Sequence, residues 1–242
     1  MALYDSVRAL YELAFPGEDA LFTDALFAAY FPDNVRVILA GDTPVSMLFS
    51  IPYPAVMEGE TVEARYLYGV ATHPAHRGKG YARQLIQAEA ARFPVFLRPM
   101  SASLFAFYET AGLVPFSPIA VSKGAALLSD GAEMPQVLTP AAYLAMRDAL
   151  APAAYCRMTE AFLAVAATTG GMVACGDACA LYDRAGDTIL FKEWWGDTAA
   201  VPHVAAALGA ARYELRVPHS GGVPFGVMRG LSPATVFLAA MD

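Results

Sequence analysis

The chain has 242 residues, of which 57% are hydrophobic and 16% charged, and its mean hydropathy is +0.41. That is ample apolar material for a core and excludes a disordered chain, while the length allows one large α/β domain or two compact ones. The net charge of −7 argues against a nucleic-acid or anionic-lipid surface over the chain as a whole, and the longest uncharged stretches, such as residues 161–176, are broken by Thr168-Thr169-Gly170-Gly171 and fall short of the roughly 20 residues of a bilayer span.

In chain order, residues 4–15 and 19–30 carry apolar side chains at helical spacing, separated by Pro16 and Gly17. Residues 34–40 alternate and are rich in β-formers, Gly41-Asp42 is a turn signal, and residues 45–51 continue as a second strand. Glu58-Gly59-Glu60 turns the chain into a third strand over residues 62–72, which Pro74 ends. A helix is predicted from Gly80 to Phe93, a short strand over residues 95–97, and a helix over residues 102–111 stopped by Gly112. Residues 113–121 return as an extended segment. This order predicts a mixed α/β domain over residues 1–122.

Residues 123–138, with Lys123-Gly124, Asp130-Gly131 and Pro135, are predicted to be a linker. The remaining residues, 139–242, echo the first half: helices over residues 141–150 and 155–167, a strand ending at Gly176-Asp177, strands over residues 178–182 and 188–194, a helix through Leu208, and a strand over residues 212–217. A structural repeat is expected, with residues 188–210 standing where residues 62–91 stand in the first half. Cys156, Cys175 and Cys179 form neither a disulfide framework nor a metal-ligand pattern, so reduced thiols and no metal are expected. With Asp5, Arg8 and Glu12 ahead of any apolar run, a cleaved signal peptide is not expected and a cytoplasmic location is.

One segment runs against the acidic balance. His73, His76, Arg77, Lys79 and Arg83 cluster between the third strand and the following helix. A helix N-terminus presents unpaired backbone N–H groups and the positive end of a dipole, and glycines let the backbone approach a phosphate closely. Two better-known phosphate loops do not fit: Lys79 is followed by Gly80 where the nucleotide P-loop needs Ser or Thr, and Arg83 stands where the dinucleotide fingerprint needs a third glycine. A local anion is expected here.

Arg77-Gly78-Lys79-Gly80-Tyr81-Ala82 reads R-x-x-G-x-A, which resembles the acyl-CoA diphosphate loop of the GNAT superfamily of N-acetyltransferases, Q/R-x-x-G-x-G/A. Further on, Leu104-Phe-Ala-Phe-Tyr-Glu-Thr-Ala-Gly-Leu113 is similar to that family's A-I-x-L-Y-E-K-L-G-F helix. The two-half arrangement also resembles bacterial GNAT proteins with a second, degenerate GNAT-like domain. The resemblance implies a central mixed, mostly antiparallel sheet flanked by helices, duplicated here. It implies acetyl-CoA as co-substrate and transfer of its acetyl group to a primary amine of a small molecule or peptide, by direct attack in a ternary complex.

By the same resemblance, Val70 and Thr72 would hold the pantetheine, residues Arg77, Gly78, Lys79, Gly80, Tyr81, Ala82 and Arg83 the diphosphate, and Tyr108 would protonate the leaving thiolate. Ser101 stands where many relatives carry a cofactor-contacting asparagine. Where several relatives carry a general-base carboxylate, this chain has Tyr66, and Glu63 falls on the opposite strand face. Water, an amine arriving neutral, the second half or Asp242 remain as sources of the base; His73 is expected to be a loop residue. Tyr66 and Tyr68 are expected to line the acceptor cleft, and Glu193, Trp194 and Trp195 either a vestigial cleft or core. Two alternatives stand beside the transferase: a non-catalytic acyl-CoA sensor, and a tandem transferase using another acyl donor. A homodimer is an expected assembly.

Overall fold

The computed structural model describes residues 3–238 and 241. Helix α1 (Leu3–Ala14) buries Val7, Leu10 and Tyr11, one stripe at helical spacing. Helix α2 (Ala20–Tyr30) starts where the Asp19 carboxylate accepts from the backbone N–H groups of Leu21 and Phe22. Strands β1 (Val35–Ala40) and β2 (Thr43–Pro52) form a hairpin around Gly41-Asp42. β2 is buried on both faces, because α1 packs on one side and α3 (Tyr81–Ala90) on the other.

The single strand expected over residues 62–72 is two. Strand β3 (Ala55–Met57) turns through Glu58-Gly59 into β4 (Glu60–Val62), which belongs to a small separate sheet, and β5 (Arg65–Thr72) then enters the main sheet beside β2. Strand β6 (Val95–Leu97), helix α4 (Ala102–Thr110) and strand β7 (Val114–Ala125) complete the first half. β7 outruns its predicted end because its last residues pair with β13 (Arg212–Pro218), out to Arg212 opposite Ala125.

In the second half the helix expected over residues 155–167 begins late. Strand β9 (Tyr155–Cys156) pairs with β3, and helix α6 (Glu160–Ala166) starts after Thr159, whose hydroxyl caps the Phe162 N–H. Strand β8 (Gln136–Val137) and helix α5 (Pro140–Leu150) precede it. Strands β10 (Gly170–Cys175), β11 (Ala178–Ala185) and β12 (Thr188–Trp195), helix α7 (Val201–Ala207) and β13 follow, and a strand that the sequence reading did not foresee, β14 (Val223–Arg229), comes last.

Among the described residues the main sheet has the order β1-β2-β5-β6-β14-β7-β13-β12-β11-β10-β8. Apart from β8 the order is a palindrome of equivalent strands: β1, β2, β5, β6 and β7 answer to β10, β11, β12, β13 and β14. β5 and β6 pair in parallel, as do β12 and β13, with α3 and α7 as the respective crossovers. Each half lends its last strand to the other, since β14 lies between β6 and β7, and β7 between β14 and β13. The fold is therefore a mixed α/β sheet, mainly antiparallel, flanked by helices and duplicated.

The second half is locked by buried charge. The Arg147 guanidinium donates two hydrogen bonds of 2.7 Å to the Glu193 carboxylate, and the Tyr143 hydroxyl donates to the same carboxylate at 2.7 Å. Both charged side chains are almost wholly buried, and Arg147 also donates to the Cys156 carbonyl, so α5, β12 and β9 are tied together. Lys192, also buried, pairs with Asp183 at 2.6 Å.

Candidate active site

The site grows from a divergence of two parallel strands. β5 and β6 pair only over Arg65–Tyr66 and Val95–Phe96, and β5 then runs on to Thr72 with no strand on that side among the described residues. A bulge sharpens the divergence. Phe49 faces Tyr68 and Met47 faces Ala71, so β5 carries one residue more than β2 across this span. Gly69 sits in the bulge with φ +59°, and a Cβ there would lie 2.9 Å from the Tyr11 ring, so the bulge needs a residue without one. The unpaired edge of β5 leaves Val70 and Thr72 beside open space.

Past β5, the 3₁₀ turn Pro74–His76 is capped by His73, whose Nδ1 accepts from the Ala75 N–H. His73 is thus a loop-forming residue, as expected. The chain then passes through Gly78 and Gly80, both left-handed, and Gly80 is the N-cap of α3 with no side chain to cap it. Nothing lies within 4 Å of where a Cβ would stand at either glycine. The first-turn N–H groups of α3 consequently face a cleft instead of a capping side chain.

This cleft has a volume of about 470 Å³ and is lined by Val70, Thr72, Arg77, Gly78, Gly80, Tyr81, Ala82, Arg83 and Tyr108, with His76, Leu104 and Phe107. The Arg77 Nε donates to the Thr72 carbonyl at 3.3 Å, and Arg83 donates to the Thr110 hydroxyl at 3.1 Å, bridging α3 and α4. Lys79 does not line the cleft. Ser101 lies at the N-cap of α4, within hydrogen-bond distance of Ser103, and lines a different and larger groove of about 760 Å³ between α4 and the paired strands β7 and β14. That groove holds neither the glycine loop nor Tyr108, so its size carries no chemistry here.

A second cavity, about 130 Å³, opens on the far side of Tyr108. It shares Val70, Leu104 and Tyr108 with the first cleft, so the two spaces meet at these three residues. Tyr66, Tyr68, Phe15, Glu18, Arg98 and Met241 are among its walls. Tyr66 and Tyr68 do share this space, as their spacing on the strand requires. Tyr108 is only 7% exposed, and burial pushes its phenol up to about 12, so the hydroxyl keeps its proton at neutral pH.

Glu18 is the residue that sequence reasoning missed. It follows Pro16-Gly17, where the pattern signals a turn and nothing more. In the fold α1 packs on β5, and Glu18 Oε2 accepts a hydrogen bond from the Tyr11 hydroxyl at 3.0 Å and stands 3.5 Å from the Tyr68 hydroxyl. Glu63 lines neither cavity and pairs with Arg65. Asp242 lies outside the described residues.

The second half presents nothing similar. Glu193, Trp194 and Trp195 are buried, with Glu193 consumed by Arg147 and Tyr143, and so belong to the core. The segment that answers to the glycine loop borders a cavity of about 390 Å³ whose charged walls are Glu133, Asp177 and Asp197. No Arg or Lys of the described residues lines it, and its one histidine, His203, is engaged by the Ser129 N–H and the Glu133 carbonyl. Among the described residues there is no cluster of His, Cys, Asp and Glu suited to a metal ion, and no helix long and apolar enough to cross a membrane.

A family model for the acetyltransferase (GNAT) domain matches residues 2–113, the stretch that contains the glycine loop, Tyr108 and Glu18. The chain carries a GNAT domain. Residues 2–113 are thus a GNAT-type acyltransferase domain, and solved structures share the fold over both halves of the chain. A GCN5-related N-acetyltransferase from Kribbella flavida superposes with a TM-score of 0.69 at 13% identity, over 93% of this chain and 68% of that one. A second, from Anabaena variabilis ATCC 29413, gives 0.67 at 13% identity over 93% and 69%. A conserved protein from Enterococcus faecalis V583 gives 0.68 at 14% identity over 93% and 70%. At such identities the likeness is one of fold. No curated protein matches the chain.

Proposed function

We propose that the GNAT domain moves an acetyl group from acetyl-CoA to a primary amine of a small molecule or peptide in a ternary complex. The observation that carries this reading is the meeting of two cavities at Val70, Leu104 and Tyr108, one with a basic glycine loop at its end and the other with a carboxylate. The donor set of the first cleft suits a diphosphate: backbone N–H groups at the start of α3, two left-handed glycines with free space above them, and the guanidinium groups of Arg77 and Arg83. Bound there, acetyl-CoA supplies an acetyl group already activated as a thioester.

The other steps belong to the chain. Backbone groups of β5 at Val70 and Thr72 hold the pantetheine arm and draw charge onto the thioester oxygen. Tyr108 serves the leaving sulfur. Its phenol at about 12 lies well above a thiol at about 8.5, so even complete proton transfer to the freed thiolate would be uphill by about 5 kcal/mol. The hydroxyl therefore acts first as a hydrogen-bond donor that strengthens as charge grows on sulfur, and passes its proton on only as it receives another. In this reading residues 1–122 form the catalytic unit and residues 139–242 a second copy without the basic loop, the two halves exchanging β7 and β14.

The test is release of free CoA from acetyl-CoA in the presence of a panel of amines, with Tyr108→Phe as companion. Amine-dependent release by the wild type and a 10²- to 10⁴-fold lower kcat in the variant, with unchanged acetyl-CoA affinity, is expected. Tight acetyl-CoA binding with no release for any amine would replace the enzyme reading with that of an acyl-CoA sensor.

A further inference from the structure

The second cavity states more about the acceptor than that it is an amine, and the inference rests on the acetyl-transfer reading above. Its walls are aromatic on several sides, with Phe15, Tyr66 and Tyr68, and the carboxylate among them belongs to Glu18. That carboxylate is held from behind: the buried Tyr11 hydroxyl donates to Oε2 at 3.0 Å, leaving its other oxygen with no hydrogen bond to the described residues. Glu18 itself stays exposed. An aromatic box around a carboxylate attracts an organic cation through ring faces and Coulomb force together. The space, about 130 Å³, is close to that of a cavity known to hold one benzene ring. It admits the end of a chain and not a bulky body.

We infer that the acceptor enters as a primary alkylammonium ion and that Glu18, on the loop between α1 and α2, binds it and takes its first proton. The position where the strand would supply a base is filled by Tyr66, which is buried against Phe96, Phe162 and Phe237. Glu18 reaches the same space from another element. The protons balance as follows. The ammonium gives one to Glu18, which releases it to solvent, and the neutral nitrogen attacks the thioester carbon. The N–C bond forms, the C–S bond breaks, and the second proton passes from nitrogen to sulfur through the Tyr108 hydroxyl, which ends as it began.

Among the described residues, the other charged or titratable groups around Glu18 are Tyr66, Tyr68, Tyr108 and Arg98 in the cavity wall, Tyr11 behind it, and the neighbouring Asp19, whose carboxylate caps α2. Burial holds Tyr11 and Tyr108 protonated throughout the range of the test.

The test compares the full chain with its Glu18→Gln and Glu18→Asp variants, using n-butylamine and longer alkylamines as acceptors and following CoA release from pH 5.5 to 10.5. For the wild type, kcat/KM stays level over the lower part of this range and turns down only near the pKa of the amine, because the productive pair is carboxylate plus ammonium. Glu18→Gln is expected to lose 10²- to 10⁴-fold at pH 7. Its kcat/KM should instead climb with pH up to the amine pKa of about 10.4, since only the neutral amine can then react. Glu18→Asp recovers part of the rate and the level region, a recovery that a merely structural role would not bring. Acetyl-CoA affinity stays within threefold in all three proteins, which reports an intact fold. Glu18→Gln within threefold of wild type, with the same pH profile, overturns the inference and leaves the transfer reading standing. Absence of amine-dependent release by the wild type overturns both.

Discussion

Gly69→Ala tests whether the bulge beside the two cavities is held by packing as well as by backbone conformation. Two contributions can be separated. At φ +59° an L-residue is disfavoured by about 1–2 kcal/mol. The added methyl carbon would also lie 2.9 Å from Tyr11 Cε2 and 3.2 Å from Phe49 Cδ2, two rings with no exposure. Forcing a methyl group into such a core typically adds about 1–3 kcal/mol. The total, about 2–5 kcal/mol, lowers the melting midpoint by about 4–20 °C for a chain of this size. Gly41→Ala is the control: its φ is +61°, but nothing lies within 4 Å of the new carbon, so only the backbone contribution applies. Urea denaturation of both variants at pH 7 should place Gly69→Ala about 1–3 kcal/mol below Gly41→Ala. Equal losses would refute the packing argument. Because Tyr11 supports Glu18, Gly69→Ala should also lower turnover, whereas Gly41→Ala should not.

Glu193→Ala leaves the buried Arg147 charge unpaired and is expected to destabilise by about 3–5 kcal/mol, while Arg147→Met combined with Glu193→Leu is expected to recover most of that; denaturant midpoints of the two variants check the contrast. Stability should also fall steeply in alkali. With the Tyr108 phenol at about 12 in the fold and about 10 in the unfolded chain, the unfolded state loses its proton first and binds fewer protons between these values. Stability from this group is therefore complete below pH 10 and declines as pH rises towards 12. Burial raises Tyr11, Tyr30, Tyr53 and Tyr143 in the same direction, so urea midpoints at pH 9 and pH 11 should differ sharply. Tyr108→Phe should soften the difference, and an unchanged slope in that variant would count against its burial as the cause.

The local geometry of the candidate site is legible in the sequence because it is local. The proposed diphosphate loop rests on backbone conformations that Gly78 and Gly80 adopt by themselves, and on N–H groups that any helix start exposes, so a short run of sequence contains it. Tyr108 was legible in the same way, on a helix ended by Gly112. Contacts between distant segments were not. Glu18 acquires its meaning only when α1 packs on β5 and brings Tyr11 and Tyr68 to it. β14 carries Pro224 and Gly226 and follows Gly221-Gly222, a local pattern of turn residues; it is a strand because β6 and β7 offer it two edges. Residues 123–125 extend β7 for the same reason, through pairing with β13. The helix expected from residue 155 starts only after Thr159, because β3 recruits Tyr155 and Cys156 as a strand. In each case a partner remote in sequence overrode local propensity.

The proposed role of the glycine loop in the GNAT domain is to hold the CoA diphosphate. Calorimetric titration of acetyl-CoA into the wild type and into Arg77→Ala measures it directly. Arg77 is exposed and its removal leaves the core untouched, so the variant should fold. Losing a charge-assisted hydrogen bond of about 1.5–3 kcal/mol should raise the dissociation constant about 10- to 150-fold. Saturable wild-type binding, weakened to that extent in the variant, is the predicted result; equal affinity in the two proteins, or no binding by the wild type, would contradict the assignment.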